Sequence, residues 1–237
     1  MKYLMILLLT CPWVVGADIF DDPKNLKVLS EDISPVDLRR TMRMMAKGLG
    51  VRCQHCHVGE EGQSLREFDF ASDDKNNKEK ARFMLKMMMD LNQHMVTGIK
   101  DREVEIQCIT CHRGSVKPWQ TVDVLKQKLI QEGVAAALSH HDELKAEYYG
   151  SHTHDFTPQM LNDLAAMVSR DHPQAVIPIL QKNLTMHPKH LISLVNLGDA
   201  YVLNKEPKKA LKYYKKASKV DDQPWLEQKI KAVKEQL

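Results

Sequence analysis

Apolar positions along this chain recur at intervals of three and four, the period of one face of a helix, so the pattern predicts a mainly α protein. Between Ser34 and Gly50, the residues Leu38, Met42, Met45 and Leu49 share a face, and Met44 points elsewhere. Ser34 suits the N-cap, Pro35 suits the first helical position, and Gly48 or Gly50 ends the element. A second amphipathic helix is predicted over roughly Asn77–Val96, with Gly98 as its stop. Its apolar face carries Met84, Met87, Met88, Leu91 and Met95, and Met89 lies off that face. Farther on, Gln120–Ala146 reads as a long helix broken by Gly133, and Tyr148-Tyr149-Gly150-Ser151 reads as a break. Thr157-Pro158 then supplies a cap and a first helical position for another helix.

The first seventeen residues follow a different pattern. MKYLMILLLTCPWVVGA has a basic Lys2, an apolar run from Tyr3 to Val15, and small residues at Gly16 and Ala17. This is the layout of a secretory signal peptide and is too short to favour a membrane span. Cleavage after Gly16 or Ala17 would remove Cys11. In a rival reading, Leu8-Leu9-Thr10-Cys11 is a loose bacterial lipobox that anchors the protein as a lipoprotein, although Thr matches poorly before the cysteine. Either reading places the protein outside the cytoplasm, with the periplasm as the expected location. No later stretch is apolar enough to cross a bilayer.

Composition narrows the function less. A chain of 237 residues suits one large domain or two small ones. A net charge of +3 is too small to argue for nucleic acid or an anionic membrane as partner. No Gly-rich phosphate loop and no HExxH is present. No Ser/His/Asp or paired-carboxylate arrangement can be read from the chain.

The cysteines carry the chemistry. CQHCH stands at 53–57 and CITCH at 108–112, which uses every cysteine except Cys11. In an oxidising compartment each pair could form a disulfide or a dithiol. Four thiolates could hold one zinc, but paired CxxC motifs in such sites are usually about 15–20 residues apart, and these are farther. Both readings leave His57 and His112 to chance. The third reading is c-type haem attachment, with Cys53, Cys56, Cys108 and Cys111 as thioether donors and His57 and His112 as iron ligands. It requires a histidine directly after the second cysteine, and both motifs supply one. Two covalent haems are therefore expected.

The sixth iron position decides what such a site does. A closing methionine or histidine favours electron transfer, and an open site allows ligand or peroxide chemistry. A methionine stripe at helical spacing is more often core packing than ligand. Here, however, a methionine-bearing helix precedes each motif. A helix is a rigid arm that can hold a thioether over the haem face opposite the histidine.

The stretches MRMMAKGLGVRCQHCHV, DFASDDKNNKEKARFML, MMMDLN and QCITCHRG resemble the cytochrome c subunit of photosynthetic reaction centres and its shorter relatives. The resemblance covers about residues 34–116. In that family each Met/His haem takes its methionine from the helix before the CxxCH. The resemblance implies Met42, seven residues before the Leu of LGVRCQHCH, and Met87, four residues before Leu-Asn. Met45, Met84 and Met88 are the alternatives, and His94 is another possible sixth ligand. The reaction-centre subunit carries four haems and this chain has two motifs, so docking to a photosynthetic complex does not carry over.

The region beyond His112 has another character. Leu194, Leu197, Gly198, Tyr201, Ala210, Tyr214 and Ala217 sit at the spacing of one tetratricopeptide repeat. A weaker copy runs from about Thr157 to Pro188, with Ala175 and Pro188 in matching places. LKAEYYGSHTHDFTPQMLNDL resembles the lead-in to such repeats in exported bacterial proteins. Two repeats fall short of the three or so that a free-standing array needs, so the tail is expected either to dock a partner or to pack as a helical layer. Lys205, Lys208, Lys209, Lys212, Lys215, Lys216 and Lys219 read as a solvated face. His55, between the first two cysteines, reads as merely exposed. His140, His141, His152 and His154 cluster in sequence, which is weak evidence for a metal site.

The expected organisation is a signal peptide over 1–17, a helical dihaem cytochrome domain over 18–118, a helical connector over 119–150 and tetratricopeptide-like helical hairpins over 151–237. The expected function is one-electron transfer between redox partner proteins. The rivals are a dihaem peroxidase with one open haem and a haem-based sensor or scaffold that uses the tail.

Overall fold

The computed structural model describes residues 18–101 and 105–237, so the predicted signal segment and Cys11 lie outside the described residues. The fold is mainly α, with ten α-helices and no strand among the described residues. An isolated antiparallel bridge joins Val58 to Asp69. The chain divides into two compact units between Val116 and Lys117.

The N-terminal unit holds α1 (Pro35–Leu49), α2 (Asn76–Gly98) and α3 (Cys108–His112). Ser34 caps α1: its hydroxyl accepts from the Asp37 amide at 3.1 Å and donates to the Asp37 carboxylate at 2.6 Å. Gly50 ends α1 in the left-handed conformation, at φ 67°. Gly48 lies inside the helix rather than ending it, and it is buried for a tertiary reason. A Cβ at Gly48 would sit 2.8 Å from the Cβ of Cys108, and one at Gly50 would sit 2.1 Å from the Gly114 carbonyl. The Gly114 amide donates to the Gly48 carbonyl at 2.8 Å. The end of α1 therefore seats directly on α3 because no side chain separates the two backbones.

Helix α2 is tied down at both ends. The Asn77 amide donates to the His55 carbonyl at 3.2 Å, and the Lys75 ammonium donates to the Gln54 carbonyl at 2.5 Å. Farther along, the Asn92 side chain and the Ile106 backbone exchange two hydrogen bonds of 2.8 and 2.9 Å. One helix thus braces the loop of the first motif and the approach to the second.

The C-terminal unit contains α4 (Thr121–Glu132), α5 (Val134–Tyr148), α6 (Pro158–Val168), α7 (Pro173–Met186), α8 (Leu191–Leu203), α9 (Pro207–Ser218) and α10 (Pro224–Lys234). Helices α6, α7, α9 and α10 all start with proline, whose fixed φ suits a first turn that has no use for its missing N–H. Gly133, at φ 90°, divides the segment read as one long helix into α4 and α5, which pack together. From α6 onward each helix packs on the next, and α4 and α5 pack on α6 and α7. Buried Leu125, Leu164, Ile179, Leu197, Ala210 and Leu226 belong to one continuous core. A Cβ on Gly198 would meet the Tyr214 ring at 2.4 Å, so this glycine lets α8 and α9 close together. At the centre, buried Asn183 donates to the Pro158 carbonyl at 2.7 Å and to the Ser193 hydroxyl at 2.8 Å.

Candidate haem sites

The first motif opens as a short 3-10 turn over Cys53–His55, and the His57 amide reaches back to the Cys53 carbonyl at 2.9 Å. Cys53, Cys56 and His57 line one cavity. Its walls are otherwise mainly apolar: Leu38, Met42, Met45 and Leu49 from α1, Phe70 from the intervening loop, and Ala81 and Leu85 from α2. The predicted ligand Met42 and its alternative Met45 therefore both face this cavity. The His57 ring meets Phe70 edge-on at 4.9 Å. Its Nδ1 is buried and has no hydrogen-bond partner. Burial, then the positive charge of Lys78, pushes the His57 pKa below its ordinary value, which favours the neutral imidazole that binds metals. Burial also pushes the Cys56 thiol up, so it stays uncharged.

The second motif is α3 itself. Its first turn is closed by a reciprocal cap in which the Gln107 amide donates to the Thr110 hydroxyl at 3.0 Å. His112 Nδ1–H donates to the Ser115 carbonyl at 2.9 Å, which leaves Nε2 with its lone pair for a ligand. Burial raises the Cys108 thiol pKa. The predicted methionine face of α2 stands open: Met84 is 38%, Met87 40% and Leu91 42% exposed. Met88 is half-buried and His94 exposed. An apolar helix face of this kind needs a cover.

Helix α2 presents two different faces. Lys78, Ala81, Arg82 and Leu85 form one face and line the first cavity. By helical geometry, Met87 and Leu91 lie about 170° and 130° around the axis from the centre of that face, and Met84 lies about 110° from it. The seating of α1 on α3 also brings the motifs together. Gly48 abuts Cys108, and Cys53 follows Gly48 by only five residues, which span at most about 18 Å when fully extended.

The residues fit covalent haem. All four described cysteines are free thiols. The described residues contain no group of three or more His, Cys, Asp or Glu placed to hold a metal ion, so the four cysteines do not converge as a zinc site. Each CxxCH presents an imidazole next to its second cysteine, and that of the first motif lies in a mainly apolar cavity. Cys53, Cys56 and His57 would hold one haem, and Cys108, Cys111 and His112 the other.

Other residues singled out in the sequence have structural roles. His55 is half-buried rather than merely exposed, because the packing of the α2 N-terminus brings Asn77 to 3.3 Å from its ring. His140 pairs with Glu143 at 3.0 Å, His141 packs edge-on against Phe156, and His154 lies 3.2 Å from the Thr121 hydroxyl. The four histidines of that region do not converge. All seven lysines from Lys205 to Lys219 are exposed. Sequence reasoning missed Lys78 and Arg82, although their spacing with Ala81 and Leu85 already marks a second face of α2.

No curated protein matches the chain. Residues 16–185 match the family model of the photosynthetic reaction centre cytochrome C subunit. The match takes in both CxxCH motifs and continues into α7, beyond the stretch in which the motifs carry the resemblance. A match over most of the chain, on two sites with the residues to bind haem, places this protein in the photosynthetic reaction centre cytochrome C subunit family, whose members are c-type cytochromes.

Proposed function

We propose that this protein is an exported dihaem c-type cytochrome that carries electrons one at a time between redox partner proteins. The observation that carries the reading is the first cavity, where two thiols, a neutral imidazole and two thioethers line mainly apolar walls. When bound there, haem supplies reversible one-electron iron chemistry. The protein holds the porphyrin by thioether bonds at Cys53 and Cys56, and at Cys108 and Cys111. His57 and His112 would ligate the irons, Met42 and Met87 would supply the closing thioethers, and the apolar walls of the first cavity would exclude water. Closed coordination changes little between redox states and therefore favours transfer over catalysis. The short span between the motifs suits hopping from one site to the other.

In this reading the segment over 1–17 directs export, and the tail over 151–237 is a tetratricopeptide-like surface for a protein partner. The stepwise packing of α6 to α10, with Gly198 and Ala210 at the close approaches, supports that assignment.

Intact mass and an absorption spectrum of protein made in a host that matures c-type cytochromes test the reading. It predicts two added haem masses and a low-spin spectrum with the weak methionine–iron charge-transfer band. Replacing Met42 or Met87 singly with alanine should weaken that band by about half. If Met45, Met84 or Met88 has this effect instead, the ligand assignment moves to that residue. A high-spin component in the unsubstituted protein would favour an open, peroxidase-type site. Absence of covalent haem sinks the proposal.

A further inference from the structure

One wall of the first cavity is charged. Lys78 and Arg82 stand one turn apart on α2, and both line the cavity that Cys53, Cys56 and His57 also line. Lys78 is only 8% exposed, and no other lysine or arginine among the described residues is buried to that degree. Its ammonium donates to the carbonyls of Phe70, Ala71 and Ser72 at 2.9, 2.9 and 2.7 Å, and lies 3.1 Å from the Asp73 carboxylate. A buried ammonium is costly unless so partnered, so this charge is built into the fold. It also fixes the loop that packs Phe70 against His57.

Arg82 reinforces the same wall. It reaches the Asp73 and Glu79 carboxylates at 2.7 Å each and the Asn25 carbonyl at 2.9 Å. Lys27 also donates to Asp73, at 2.7 Å. Hydrogen bonds from Lys27, Asn25 and Lys78 hold the Asp73 carboxyl far below the usual carboxylate range, so it is ionised at neutral pH. Lys78, Arg82 and Lys27 all line the cavity, whereas the carboxylates that pair with them, Asp73 and Glu79, lie outside its lining and are exposed.

We propose that Lys78, reinforced by Arg82, raises the reduction potential of the haem held by Cys53, Cys56 and His57, so that this haem is the first of the two to be reduced. The inference rests on the dihaem reading above. Addition of one electron from an external one-electron reductant makes the site one charge less positive, and no bond forms or breaks. A fixed cation in a weakly polarisable wall favours that reduced state. Because the charge is buried, salt screens it little. The methionine face of α2 points well away from Lys78, so the effect is selective for the first site.

The test uses the full-length holoprotein. Intact mass comes first: fewer than two haems would fail the dihaem reading before any potential is measured. Potentiometric titration then compares the parent with Lys78→Met, Lys78→Arg and Asp73→Asn. The potential of one haem should fall in Lys78→Met and be restored in Lys78→Arg, and it should rise in Asp73→Asn. The other haem should stay unmoved. Titration of Cys108→Ala/Cys111→Ala protein, which retains the first haem alone, identifies the potential that moves. Opposite signs at Lys78 and Asp73 separate charge from packing, since a loosened loop admits water and shifts both variants the same way. If Lys78→Met does not retain haem, the Asp73→Asn rise alone decides the matter. Unchanged potentials, or shifts of the same sign in both variants, overturn the proposal.

Discussion

The two units of this protein are stabilised by different means. Among the described residues, the N-terminal unit buries only Leu38, Phe68 and Leu85 as core hydrophobics. It leaves Phe83, Met84, Met87, Leu91 and Ile109 exposed. The C-terminal unit has a continuous apolar core running from Leu125 on α4 to Val233 on α10. Side chains alone give the second unit what a domain needs, whereas the first buries few large hydrophobics and places apolar side chains around a cavity. A haem fills that cavity in the proposed function. The comparison teaches that a domain can specify its partner by the core it lacks.

The largest expected effect is on haem attachment. With Cys53, Cys56, Cys108 and Cys111 all replaced by alanine, the N-terminal unit should lose its protease protection, while residues 117–237 stay resistant and melt cooperatively. Limited proteolysis with mass mapping checks this. Equal protection of both units would break the comparison.

Next comes the core of the C-terminal unit. Leu164→Ala should cost about 2–5 kcal/mol, read by urea unfolding of that unit. The haem spectrum should not change. A smaller loss belongs to the seat of α1 on α3. Gly50→Val would combine a left-handed φ with a clash against the Gly114 carbonyl and should cost about 1–3 kcal/mol. This loss should appear in the N-terminal unit and be accompanied by a changed spectrum of the second haem.

The smallest effect is a pH dependence. His141 is 1% exposed on α5, and burial pushes its pKa below the ordinary histidine value, with Asp142 opposing and Lys182 and Lys145 adding to the shift. The unfolded chain therefore takes up a proton near pH 6.5 that the folded unit refuses. Stability of the C-terminal unit is full above about pH 6.5 and falls as the pH drops below it, by at most about 1.4 kcal/mol per pH unit from this group. His141→Gln should flatten the acid limb in urea titrations, with Asp142, Lys145 and Lys182 left in place. An unchanged limb would remove His141 from the account.

Much of the helical framework was legible from local signals. Ser34, Pro35 and Gly50 mark α1 because caps and proline act within one turn. Gly133 marks the junction of α4 and α5 for the same reason. Contacts between distant segments were not legible. Gly48 reads as a stop signal in the sequence, yet it is a helical residue whose missing side chain admits Cys108. The methionine stripe of α2 drew attention to one face and hid Lys78 and Arg82 on another. His55 read as exposed because Asn77, its neighbour in space, belongs to another element.

The sequence by itself carried the pattern that c-type haem attachment requires. Thioether donors and an adjacent histidine need one fixed local spacing, and CQHCH and CITCH each contain it whole. The helices before the motifs followed from equally local periodicity. Only the tertiary structure decided which faces enclose a site, how closely the two motifs approach, and where a buried cation stands. Those features depend on backbones meeting where a Cβ is missing and on charges paired across loops, and no pattern along the chain records which distant residues will meet.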